Sequence, residues 1–147
     1  MNAAVHPASR KRIPPPIGIA AADNLSPEFF KTLSALGLEI LIVSFEASKS
    51  YSAIFGHAGI EYELDKELQA IKAGQFDSSY FTRAAHCHLF HVPASALGKA
   101  MKCVKDALAA RGLLESATLF HAESATEWRV WHPATAALLN TDADTDT

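Results

Sequence analysis

Apolar and polar positions alternate in a legible order along the chain. Ser26-Pro27-Glu28 has the form of a helix start, with an N-cap serine, a first-turn proline and an acidic residue suited to the helix dipole. Phe29, Leu33 and Leu36 then form a helical stripe that ends at Gly37. The run LEILIVSFEA (38–47) is apolar on both faces, as an interior strand covered on both sides should be. Leu64, Leu68 and Ile71 recur at helical spacing among charged residues until Gly74. AAHCHLFHV (84–92) reads as a strand closed by Pro93. Leu97, Met101, Val104 and Leu108 make the stripe of a long helix over 95–111, capped by Gly112. ATLFHAE (117–123) and TEWRVWH (126–132) read as a hairpin turning around Ser124-Ala125. PIGIAAA (16–22) is a short candidate strand, and SKSYSAIFGHAG has no clear pattern.

In chain order these pieces predict an α+β fold. The strands at 16–22, 38–47, 84–92 and 117–123, with the helices at 27–36 and 95–111, match a ferredoxin-like β-α-β-β-α-β sheet. The helical segment at 64–71 then becomes an insertion, and TEWRVWH an extra C-terminal strand. In that arrangement helices cover one face of an antiparallel sheet and leave the other open. One domain spans 17–133, between a basic, proline-rich arm (1–16) and an acidic tail (134–147), both expected to be flexible.

Composition narrows the class without naming a reaction. The chain has 147 residues, 49% hydrophobic and 20% charged, as in a globular domain large enough to bury its own core. A net charge of −3 and the lack of a basic stripe argue against nucleic acid as a partner. Two cysteines without a paired motif, no membrane-length apolar run and a proline-interrupted N-terminal apolar patch point to a cytoplasmic location. Dinucleotide, P-loop and serine-hydrolase signatures do not occur.

The residues most suggestive of chemistry lie in HCHLFHVP, 86–93. Strand alternation puts His86, His88 and Phe90 on one face and Cys87, Leu89 and His91 on the other. With the apolar set facing the helices, Cys87 should sit beneath the long helix beside Leu97, Met101 or Val104, and His86 and His88 should face the open side. His121 supplies a third histidine across a trough floored by Gly18, Ala20 and Ala22, with Trp128 and Glu123 nearby. These positions nominate His86, His88, His121 and Trp128 for ligand binding, and the three histidines for a metal. The expected function is a small ligand- or protein-binding module, self-associating as a homodimer through its sheet face or edge hairpin. The alternative is a histidine-dependent enzyme or a metal- or haem-binding protein, histidine being able to serve as acid, base or ligand near neutral pH.

Overall fold

The computed structural model describes residues 11–13, 25–46, 59–81 and 85–132. In chain order these form β1 (Lys11–Ile13), α1 (Pro27–Ala35), β2 (Leu38–Glu46), α2 (Ile60–Ala70), β3 (Gln75–Phe81), β4 (Ala85–Pro93), α3 (Leu97–Ala110), β5 (Ala117–Ala122) and β6 (Trp128–His132). The strands make one sheet in the order β1-β6-β5-β2-β4-β3, every neighbouring pair antiparallel. The α+β expectation holds.

Several local signals act as read. Ser26 caps α1 by accepting a hydrogen bond from the Phe29 amide at 3.2 Å, and Gly37 follows with a φ of 72°, the left-handed conformation that glycine adopts without a Cβ penalty. β2 lies between β4 and β5, and its residues Ile40 to Phe45 are all buried. The 117–132 hairpin forms, its turn held by Ser124 Oγ, which accepts from the Thr126 and Glu127 amides at 3.2 and 3.1 Å. Leu36 departs from its expected role, being 67% exposed beyond the end of α1.

The order of elements differs from expectation at three places. The helical segment read as an insertion is α2, a crossover helix between β2 and β3 that buries Ile60, Leu64 and Leu68. The strand at 75–81 was not anticipated, because its alternation is broken: Phe76 pairs with Phe90 and Ser78 with Leu89, so Asp77 is an extra residue, a β-bulge. Lys11–Ile13, inside the expected arm, pairs with β6. The candidate strand at 16–22, with Gly18, Ala20 and Ala22, lies outside the described residues, as do most of SKSYSAIFGHAG and the acidic tail. The place between β4 and β5 given to that strand is held by β2.

Both faces of the sheet are buried within the single chain. On one face Leu41, Val43, Phe45, Phe90, Val92 and Leu119 pack against Leu64 and Leu68 of α2 and Met101, Val104 and Leu108 of α3. On the other, Ile40, Ile42, Leu89, Phe120, Trp128 and Val130 cluster with Leu33, Phe29 and Phe30 of α1. The expected arrangement, with both flanking helices on one face and the other face open, therefore does not hold: α1 lies on the face opposite α2 and α3. Among the described residues no helix is long and apolar enough to cross a membrane.

Candidate functional site

The register of β4 decides where the histidines point. Phe90 and Val92 belong to the core under α2 and α3, and Cys87 and Leu89 to the core under α1. His86 and His88 share parity with Phe90, so they face the helix pair. This reverses the expected orientation. Cys87 is buried as anticipated, but on the opposite side of the sheet from α3, so Leu97, Met101 and Val104 are not its cover. The reason lies in β4's composition: Phe90 and Val92 accompany the histidines while Cys87 and Leu89 oppose them, so apolar content does not separate the two faces.

His88 is fully buried, and an imidazole held in an apolar core needs polar company. Its Nδ1 lies 2.6 Å from Ser79 Oγ on β3 and 3.9 Å from Glu61 Oε1 in the first turn of α2. Its ring meets the edge of Phe45 at a centroid distance of 6.0 Å and that of His86 at 4.4 Å. The bulge at Asp77 makes the Ser79 contact possible. The extra residue puts Phe76 and Ser79, three positions apart, on the same face, Phe76 against Phe90 and Ser79 opposite His88. His86 is half-buried at the edge of the group. Burial lowers its imidazole below the usual 6.5, and the nearby charge of Glu61 opposes that shift in part. Two imidazoles, a hydroxyl and a carboxylate thus gather where β4 begins, beside the start of α2.

His121 does not join them. It lies on the same face, but β2 separates β5 from β4, and His88 and His121 pair with Val43 and Leu41 respectively. Strand spacing and rise put their Cα atoms about 12 Å apart. His121 Nε2 instead meets Glu39 Oε1 at 2.6 Å, next to an Arg129–Glu123 pair at 2.8 Å. Burial is the main cause that lowers the His121 imidazole, with Glu39 opposing it. Trp128 is further removed, pairing with Ala122 and burying its ring on the α1 face, 5.5 Å from Phe120. The four nominated residues therefore divide into a pair, His86 with His88, and two separate positions. Among the described residues no three His, Cys, Asp or Glu side chains are gathered to hold a metal ion.

Glu61 and Ser79 escape a reading of the sequence. Glu61 resembles any charged residue of a surface helix, and Ser79 sits in a strand whose bulge hides its parity. The arrangement has a clear chemical limit. Ser79 and Glu61 approach the same nitrogen of His88, whereas a nucleophile–base–carboxylate relay needs them on opposite nitrogens. The geometry therefore does not make His88 a relay that activates Ser79. Comparisons with protein-family models, with curated proteins and with solved structures found no match.

Proposed function

We propose that the protein is a small cytoplasmic ligand-binding module whose polar contact point is the His86–His88–Glu61–Ser79 group. The observation that carries this reading is the half-buried His86 ring, lying 4.4 Å from a wholly buried His88 that is itself tied to Ser79. A polar group of this kind is costly inside a core unless it is satisfied, and at a sheet end it offers an oriented imidazole to a partner. The run β2-α2-β3-β4-α3-β5, with strand order β5-β2-β4-β3, supports a ferredoxin-like frame for the site. A homodimer remains part of the proposal. Since both sheet faces are buried, self-association is assigned to an outer strand rather than to a face.

A panel of small organic molecules, and Zn2+ alone, should be screened by thermal melting against the wild type and His86→Ala. At least one compound should raise the melting temperature of the wild type and not of the variant. Equal responses in both proteins would remove the site. The second reading is a proton-transfer enzyme using His86, favoured by the depressed imidazole and the adjacent Glu61. It requires turnover that rises with pH through the His86 titration and disappears in His86→Ala.

A further inference from the structure

An open groove of about 370 Å³ lies at the opposite end of β4 from the His86–His88 group, a volume that would take a small molecule. Its apolar part is Leu38 and Pro93, which face each other across β2 and β4. Its polar part is Lys72, His91, Gln69 and Gln75. The turn that brings Lys72 here is locked in place. Lys72 takes a left-handed φ of 56°, Ala73 N donates to Leu68 O at 2.8 Å, and Gly74 has a φ of 149°. A Cβ on Gly74 would stand 2.7 Å from the His91 carbonyl oxygen, so the turn rests directly on the strand that carries His91.

The charges around the groove assign its ligand. Asp77 Oδ1 lies 3.3 Å from His91 Nε2, which offsets any positive charge on that ring. Asp65 takes the Gln69 amide nitrogen at 2.9 Å and the Phe76 amide at 2.7 Å, so its charge is already engaged. Lys72 pairs with no carboxylate among the described residues, which leaves its ammonium for a ligand. The carbonyl end of α2 disfavours an anion nearby, so the ammonium has to supply the attraction. Exposed apolar side chains adjoin in sequence, Leu36 at 67% and Ile71 at 36% exposure.

We infer that this groove binds a small organic carboxylate with a compact apolar body. The acid group meets Lys72 and the Gln75 amide, and the hydrocarbon lies on Leu38 and Pro93. The site is distinct from the His86–His88 group in position and in chemistry, so the two readings stand or fall separately.

The test uses the full chain with benzoate, hexanoate and 1-naphthoate as probes, and 1-naphthamide as the uncharged counterpart, followed through backbone amide resonances. At least one acid should shift the signals of Lys72, Gln75 and His91 at millimolar concentration, and 1-naphthamide should not. Lys72→Asn tolerates the left-handed turn and removes the charge. It should weaken that acid by about tenfold or more at an unchanged melting temperature, while His86→Ala binds it normally. Equal binding of the acid and the amide, acid binding insensitive to Lys72→Asn, shifts centred on His86 and His88, or no binding by any of the three acids would each overturn the inference.

Discussion

The two faces of the sheet are closed by different means. One lies under two helices that bury three and five side chains respectively, and it holds both buried histidines, each with a polar partner from another element. Among the described residues the other lies under one nine-residue helix with a single buried side chain, Leu33. It carries the cross-strand row Tyr80–Cys87–Ser44–Thr118, whose members are register partners on four adjacent strands. Apolar packing dominates the first face; weakly interacting hydroxyl and thiol groups temper the second, as the 3.8 Å contact of Cys87 with Ser44 illustrates. The contrast puts the larger apolar cluster and both buried histidines on the same side of the sheet, where polar partners satisfy imidazoles that an apolar core would otherwise disfavour.

The strongest way to break this comparison is to cut into each core. Leu108→Ala should cost about 3 kcal/mol of unfolding free energy. Leu33→Ala should cost less, about 2 kcal/mol, because one helix gives way more easily around a cavity than a packed pair does. Denaturant midpoints check the ranking, and a larger loss at Leu33 would mean that α1 is the principal clamp.

A smaller effect separates the polar groups. Ser79→Ala should destabilise by about 1–2 kcal/mol, since it strips a short hydrogen bond from a buried imidazole. Ser44→Ala should cost about 0.5–1 kcal/mol, its thiol contact being long and weak. Equal losses in equilibrium denaturation would erase the distinction.

The two faces should also titrate at opposite ends of the pH scale. His86 and His121 have imidazoles lowered from 6.5. The unfolded chain therefore protonates first, and stability falls as pH drops from about 6.5 toward the folded values. On the α1 face burial pushes the Cys87 thiol from 9.0 up to about 11 and raises the Tyr80 hydroxyl above its usual 10.0. Here the unfolded chain deprotonates first, so stability is intact below about pH 9 and lost as pH climbs through the folded values. Melting temperature against pH should flatten on its acid side in His121→Asn and on its alkaline side in Cys87→Ala. Cys103, half-buried on α3, is raised as well and leaves a residual alkaline slope.

The gentlest probe is a thiol reagent in the native state. Cys103 should react well before Cys87, which is wholly buried. Comparable rates, read by mass spectrometry, would show that the α1 face opens readily.

Much of this architecture is legible in the chain. Ser26, Gly37, the two-sided apolar run of β2 and the stripe of α3 each carry their own signal, because caps, strand burial and helical spacing are local rules. The site was half legible. Alternation pairs His86 with His88 correctly, but it cannot say which face meets the helices when Phe90 and Val92 balance Cys87 and Leu89. Ser79 was hidden by a single extra residue, which shifts the parity of everything beyond Asp77. His121 and Trp128 were misjoined because the strand between β4 and β5 was given to 16–22 instead of to β2, and Trp128 has the opposite parity from His121.

That extra residue has a consequence beyond the site. β3 is the outermost described strand on its side of the sheet, a position where free amides and carbonyls invite the strand of another molecule. Asp77 interrupts the row and puts a carboxylate at the break, which disfavours a ladder running in register along the whole edge and leaves shorter pairings possible. The bulge that turns Ser79 toward His88 is thereby also one of the devices by which sheet edges resist continuous pairing with other chains.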